Sequence, residues 1–261
     1  MGRVQGRPGL DRGLLVPFQG RRVEARRPVG SAIVSRGERA GVVVQMRLDS
    51  TRLPGKAMLE IGGTTLAGMV MRRLRGIRAD EMILATDADG ARALAGVAAE
   101  FGFSVFAGPK DDVLGRYAMV VDAFGLGRVI RATGDNPFVS IPLAEIAVAA
   151  ADDSGAEYVG LVGMPAGMGV EVVDAAALME ASASASTAFD REHVCPFLYG
   201  NPGRFKVLRP GCPEAYRLPE GRLTVDTAED FRRAEAIVAS LGPEPSDAQL
   251  LSWLSEPTRA G

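Results

Sequence analysis

Cysteine is almost absent from this chain. Cys195 and Cys212 are its only two, and they lack any paired metal-ligand spacing. That excludes a disulfide framework and a thiolate zinc site, and it fits a reducing compartment. No apolar run approaches the roughly 20 residues of a membrane-spanning helix. Two familiar phosphate loops are also missing. With Gly55 and Lys56 as the G-K pair, the first glycine's position holds Ser50 and the residue after the lysine is Ala57, so G-x-x-x-x-G-K-[ST] fails. No strand–G-x-G-x-x-G–helix unit occurs. What remains is an ordinary globular composition, 47% hydrophobic and 24% charged over 261 residues. It holds enough apolar material for a core and allows one large domain or two small ones.

Charge is unevenly spread. Residues 1–40 carry nine Arg, no Lys and three acids, a balance of +6, which leaves −8 on the other 221 residues. A basic tail on an acidic body could suggest nucleic acid or an anionic membrane surface. The tail lacks aromatic interleaving and periodicity, so it reads as a disordered extension that binds neither. GLLVPF is too short for the apolar core of a secretory signal, whereas an Arg-rich transit peptide is compatible with the composition. The body is read as a cytoplasmic protein.

From residue 41 the pattern is regular. GVVVQM (41–46) is a β-branched run expected of a strand buried on both faces. TTLAGMVMRRLRGI (64–77) has helical spacing, EMILATD (81–87) reads as a strand, ARALAGVAAEFG (91–102) as a helix and FSVFAG (103–108) as a strand. DDVLGRYAMVVDAFG (111–125) is a helix with acids at its start and Gly at its end. RVIRATGD (128–135) is a strand ending in a polar loop, followed by a helix at 142–155 and a strand at 156–163. The stretch 164–215 is less regular, with strand-like VEVVD and a helix at 175–183. RLTVD (222–226) is strand-like. A helix follows at 227–242, opened by Thr227 and Asp230 in capping-box spacing. A last short helix begins at Ser246. Strands alternating with helices predict an α/β, Rossmann-like, mostly parallel sheet with helices on both faces. The expected organisation is an extension at 1–40, a single domain at 41–243, and a short helix and tail at 244–261.

Ligands of such sheets bind beyond the carboxyl ends of the strands. The first body strand exits into Arg47, Arg52 and Lys56. The second exits into Thr86, Asp87 and Asp89, the fourth into Asp135, and the late strand-like segment into Asp226. Clustered cations facing separate acids suggest a polyphosphate held by Arg and Lys together with a hard cation. Mg²⁺ needs only one or two carboxylates plus phosphate oxygens.

Arg47-x-x-Ser50-x-Arg52-x-Pro54-x-Lys56, directly after a strand, resembles the signature of cytidylyltransferases that make CMP-sugars, such as CMP-Kdo synthetases and acylneuraminate cytidylyltransferases. The resemblance is nearest to their spore-coat polysaccharide branch. ATDAD (85–89), AGPKDDVLGRY (107–117), RATGDNPF (131–138), GVEV (169–172), REHVCPFLY (191–199) and LTVDTAED (223–230) follow in the family's order, over roughly residues 41–240. The resemblance implies a nucleotide-diphospho-sugar transferase type of fold. It also implies transfer of CMP from CTP to a sugar hydroxyl with Mg²⁺, and a homodimer with part of 164–215 at its interface. By this resemblance Arg47, Arg52 and Lys56 hold the triphosphate. The nucleotide lies against Val44, Gln45, Met46, Ser50, Thr86, Asp87, Thr133 and Gly134. Asp135 and Asp226 take the metal, and Glu171 and His193 belong to the sugar side. One departure stands out. Position 49 is often Gly in that family and here is Asp49, which repels a triphosphate unless it turns outward or pairs with an Arg.

Each residue also has a plainer reading. The three cations could be solvated surface ion pairs. Asp135 could form the turn in GDNP, Asp226 could help cap the next helix, and Thr86 and Asp87 could be strand-end turn residues. A lone His and a lone Glu are often structural. Two alternatives to CMP transfer remain: a related enzyme using another nucleotide and a sugar 1-phosphate, and a catalytically weak nucleotide-binding descendant.

Overall fold

The computed structural model describes residues 39–256 together with Leu14–Leu15. The expectation of a disordered basic extension therefore falls almost wholly outside the described residues. From within it only residues 39–40 and the backbone of strand β1 (Leu14–Leu15) are described, β1 pairing antiparallel with β6 (Ser104–Ala107) at the edge of the sheet.

The centre of the sheet is β2 (Ala40–Gln45), flanked on both sides by parallel partners, β5 (Glu81–Thr86) and β7 (Arg128–Thr133). Val42, Val43 and Val44 have no exposed surface. Val43 packs on one face with Phe106, Tyr117 and Leu178, while Val42 and Val44 pack on the other with Val70, Leu74 and Leu94. This explains the absence of alternation in Val42–Val44: helices cover both faces, so side chains on either face must be apolar.

Beyond β2 the chain forms a small hairpin, β3 (Glu60–Ile61) with β4 (Thr64–Thr65), and then α1 (Leu66–Leu74). The Thr65 hydroxyl caps α1, accepting from the Gly68 amide at 3.0 Å, so the expected helix starts two residues late. Helix α2 (Ala88–Glu100) joins β5 to β6, and α3 (Val113–Phe124) joins β6 to β7. The Asp87 and Asp112 carboxylates cap them, each accepting an amide three residues on. Such caps satisfy donors that the first helical turn leaves without partners. Helix α3 ends at Gly125, whose φ of 61° is left-handed and suits glycine.

After α4 (Ile141–Ser154) come β8 (Tyr158–Gly160) and β9 (Glu171–Asp174). The less regular stretch then resolves into α5 (Ala175–Ser184), α6 (Ala188–His193), α7 (Pro196–Tyr199) and the two-residue strand β10 (Val207–Leu208). Strand β9 inserts between β7 and β8 and runs antiparallel to both. The eight-stranded order is β1-β6-β5-β2-β7-β9-β8-β10.

The expected strand at 222–226 is not part of this sheet. It is an extended segment crossing the sheet's carboxyl edge, held by a bridge from Arg222 to Ala166 and by the Val225 amide donating to the Asp135 carbonyl at 2.8 Å. Its β-branched residues bury against loops rather than against a neighbouring strand. Helix α8 (Ala228–Leu241) follows with the Thr227–Asp230 capping box intact. The last helix, α9 (Asp247–Ser255), packs into the body: Leu250 and Trp253 are buried, and Asp247 accepts from Arg73 at 2.8 Å and Ser140 at 2.5 Å.

From β2 the crossovers run through β5 and β6 to one side. The chain then returns to place β7 on the other side of β2. That reversal opens a crevice at the carboxyl ends of β2 and β7, where open α/β sheets bind ligands.

Candidate active site

The loop leaving β2 folds back over this crevice. The Gly55 amide donates to the Leu48 carbonyl at 2.9 Å, closing the loop. Gly55 has a φ of 68°, a conformation an L side chain resists, and it starts the short 3₁₀ turn Lys56–Met58. The Lys56 ammonium thereby reaches inward. It donates to the Val225 carbonyl at 2.6 Å and the Asp226 carboxylate at 3.1 Å. Arg52 approaches the same carboxylate at 3.2 Å, and Arg222 donates to its other oxygen at 2.8 Å. Three cations thus surround Asp226.

The crevice has a volume of about 380 Å³ on one side of β7 and about 340 Å³ on the other. Its cationic part, the smaller cleft, is lined by Gln45, Met46, the 47–57 loop, Thr133, Gly134, Asp135, His193 and Asp226. Arg47, Arg52, Lys56, Arg116 and Arg131 face only Asp135, Glu192 and Asp226 there, an excess of two positive charges. Such an excess in a cleft with low-dielectric walls attracts a polyanion.

Of the residues expected at a nucleotide, Gln45, Met46, Ser50, Thr133 and Gly134 line this cleft with Arg47, Arg52 and Lys56. Gly134 is packed so closely that an added Cβ would lie 2.2 Å from the Met46 side chain. Val44 has its side chain wholly in the core. Thr86 and Asp87 do not line the cleft. Thr86 is fully buried beneath Gly90, and the Asp87 carboxylate is occupied as the cap of α2. Glu171 and His193 fall on opposite sides: His193 lines the cationic cleft, its ring tilted against that of Phe189 with centroids 4.5 Å apart, and Glu171 lines the larger cleft.

The carboxylates suit a hard cation in different ways. Asp135 Oδ1 is buried without a hydrogen-bond partner, so it offers an unspent ligand oxygen. Asp226 is held by cations that a polyphosphate would draw away. Among the described residues no group of three or more His, Cys, Asp or Glu is arranged to hold a metal alone. Phosphate oxygens would have to complete the shell, as is usual for Mg²⁺.

Asp49 turns outward. Its carboxylate meets the Lys110 ammonium at 2.7 Å and lies 3.9 Å from Arg47. The hydrogen bond from Lys110 holds its carboxyl below the usual carboxylate range. Its charge is answered across the loop rather than aimed at the cleft.

Two cations have roles the sequence reading did not assign. Arg116 is buried, donates to the Pro109 carbonyl at 2.8 Å, and has an Nε without a partner. Arg131 stands on the central strand β7, in register with Glu171 on β9, and the two form an ion pair. Its second nitrogen donates to the Gln45 amide oxygen at 3.1 Å, and the Tyr158 hydroxyl donates to Glu171 at 2.6 Å. Burial is the largest influence and opposes the Arg131 charge, but the neighbouring groups, Glu171 foremost, together outweigh it and shift the guanidinium upward. Burial, reinforced by Glu171, pushes the Cys195 thiol up as well, which keeps it protonated and unreactive. The available signal was an Arg inside a predicted strand, between the apolar Ile130 and Ala132.

The larger cleft is lined by Arg131, Thr133, Asn136, Tyr158, the 160–167 loop, Glu171 and Arg209.

Comparison with known proteins agrees with this architecture. A family profile described as Cytidylyltransferase matches residues 41–250. The spore coat polysaccharide biosynthesis protein SpsF of Bacillus subtilis is 32% identical over 222 residues, covering 82% of this chain and 92% of that protein. A solved cytidylyltransferase from Leptospira borgpetersenii superposes with a TM-score of 0.76 at 26% identity, over 83% of this chain and 93% of that one. The fold is also that of a CMP:2-keto-3-deoxy-manno-octonic acid synthetase solved with CTP, with a TM-score of 0.61 at 16% identity over 77% and 99% of the two chains.

Proposed function

Because this chain belongs to the cytidylyltransferase family and is a cytidylyltransferase, we propose that it transfers CMP from CTP to a sugar hydroxyl, with release of pyrophosphate, in surface polysaccharide synthesis in the cytoplasm. The observation that carries this reading is the cationic cleft at the exit of β2, where Arg47, Arg52, Lys56 and Arg116 converge beside Asp135 and Asp226. The cytosine lies against Gln45 and Met46, and the triphosphate runs along the 47–56 loop. The sugar enters the larger cleft. Its hydroxyl oxygen forms a bond to the α-phosphorus while the bond to the β-phosphate bridge breaks. Pyrophosphate departs with the bonding pair, and the hydroxyl proton is released to water. The cations of the loop neutralise the growing charge on the leaving group, which is positioning and electrostatic catalysis rather than covalent chemistry.

Asp135 and Asp226 are the residues that would hold Mg²⁺. The metal would neutralise phosphate charge there and fix the triphosphate's geometry. We also propose a homodimer whose interface draws on residues 164–215, where Met179 is 41% and Phe189 60% exposed. Both are large apolar side chains, of the kind an interface covers.

The test is pyrophosphate release by the full chain with Mg²⁺, each of CTP, UTP, GTP and ATP, and a panel of acidic and neutral sugars. Release that requires CTP and a free sugar is expected. Preference for UTP or GTP with a sugar 1-phosphate would overturn the reading. Sedimentation of the same sample at the mass of one chain would overturn the dimer.

A further inference from the structure

We propose that Arg131 is a catalytic residue of the transfer step, its guanidinium contacting the phosphoryl group in flight, with Glu171 and Gln45 as the residues that position it. The inference rests on the nucleotidyl-transfer reading above. A direct displacement requires the acceptor oxygen to stand about 3–3.5 Å from the phosphorus it attacks. With the nucleotide in the cationic cleft and the acceptor in the larger one, that meeting takes place where the two clefts join. Among the described residues only Arg131 and Thr133 line both. They sit two residues apart on β7, so their side chains leave the same face of the sheet. Of the two, only Arg131 carries charge.

The surroundings of Arg131 fit this role better than a packing role. Its side chain is 12% exposed, on the central strand of a sheet covered on both faces. A buried ion pair is a weak source of stability, and well-packed apolar residues commonly replace one without loss. The guanidinium is also incompletely satisfied. One terminal nitrogen is bound by Glu171 and the other by the Gln45 side chain, while Nε is buried with no partner. Each terminal nitrogen also carries a second N–H beyond the one these partners take, and planar guanidinium forks match phosphoryl oxygens.

Glu171 and Gln45 hold the fork from opposite sides. Glu171 comes from β9 in direct register, and Gln45 comes from β2, which also forms the wall of the nucleotide cleft. Tyr158 in turn fixes Glu171 from the acceptor side. Donors held this rigidly need no reorganisation as charge develops, which is the condition for strong electrostatic catalysis.

The experiment compares the full-length wild type, Arg131→Lys and Glu171→Gln in steady-state pyrophosphate release, using the best acceptor of the sugar panel. Melting temperatures with and without CTP are recorded on the same samples. Arg131→Lys keeps the positive charge opposite Glu171 and so preserves the fold, but it removes the fork. It is expected to lower kcat by about 100-fold or more, with the KM for CTP and the CTP-induced rise in melting temperature nearly unchanged. Glu171→Gln is expected to lower kcat about tenfold, again without a change in KM. A folded Arg131→Lys protein with kcat within threefold of wild type overturns the proposal and leaves nucleotidyl transfer standing. A variant in which only KM rises also overturns it, because Arg131 would then hold the ground state alone. Absence of pyrophosphate release from the wild type with every nucleotide overturns the transfer reading, and this inference with it.

Discussion

Replacing Lys56 by Met removes one charge from the nucleotide loop and leaves most of its volume. The Lys56 ammonium is 14% exposed and rests on a carboxylate that is 17% exposed. Without it, Asp226 still has Arg52 at 3.2 Å and Arg222 at 2.8 Å, so the carboxylate is not left bare. The unliganded protein should therefore lose only about 1 kcal/mol, or about 2–4 °C in melting temperature for a chain of this size. The nucleotide should feel the change far more. A charge-assisted contact to a phosphate oxygen is worth about 1.5–3 kcal/mol, which is about 10- to 150-fold in affinity. Mass action converts this into a thermal shift. At CTP 100-fold above the wild-type Kd, the folded state gains about 2.7 kcal/mol and melts about 5–11 °C higher. If Lys56→Met weakens binding about 100-fold, the same CTP concentration equals the Kd and stabilises by only about 0.4 kcal/mol, or about 1–2 °C. Differential scanning fluorimetry with Mg²⁺ and CTP reads both values. A variant with the wild-type CTP shift would refute the assignment and make Lys56 a structural partner of Asp226.

Lys110→Ala should weaken CTP binding by about two- to five-fold, because it leaves Asp49 uncompensated beside the triphosphate loop, and Asp49→Asn in the same chain should restore it; titration calorimetry on the four proteins of the cycle checks this. Gly134→Ala should abolish the CTP-induced thermal shift while leaving the protein folded, since its Cβ would push into Met46 at the wall of the nucleotide cleft. Asp230→Asn should cost about 1 kcal/mol in urea unfolding at neutral pH: the amide oxygen can still accept from Thr227, but the charge assistance of these bonds and the ion pair with Arg233 are lost. Burial pushes the Asp230 carboxyl up, but the amides of Asp226 and Thr227 outweigh it and leave the group below its ordinary value. Its stabilisation is therefore present at neutral pH and lost as pH falls through the folded value, so the gap between the two proteins should begin to narrow near about pH 4 and close only at lower pH.

The parallel core was legible because a strand buried on both faces must be apolar throughout, as Val42–Val44 are. The caps at Thr227 and Ser246 were legible because capping is a local matter of a few residues. The segment 222–226 misled because β-branched residues mark an extended backbone but not its partner, and here the partners are the loops at 135 and 166. The cation loop could be read from spacing alone, since one short turn carries Arg47, Arg52 and Lys56 together. Thr86 and Asp87 looked equally suitable at a strand exit, but the start of α2 drew them under its first turn. Arg131 was missed for the opposite reason. Its partners Gln45 and Glu171 lie 86 and 40 residues away in sequence, and only sheet register brings them together. The outward turn of Asp49 likewise depended on Lys110, which approaches from a separate loop.

The carboxylate of Asp226 acts as a resident counter-ion. Before any nucleotide arrives, Lys56, Arg52 and Arg222 already have an anion to face, so the loop does not spring open under its own repulsion. Nucleotide entry is then an exchange of one anion for another, not the capture of a charge by bare cations. Such an exchange dampens the contribution of these three cations to the salt dependence of CTP affinity, because they already face an anion. It also binds positions 52, 56, 222 and 226 into one electrostatic unit. A change of sign at any of them must be answered at another before the loop can again hold its shape.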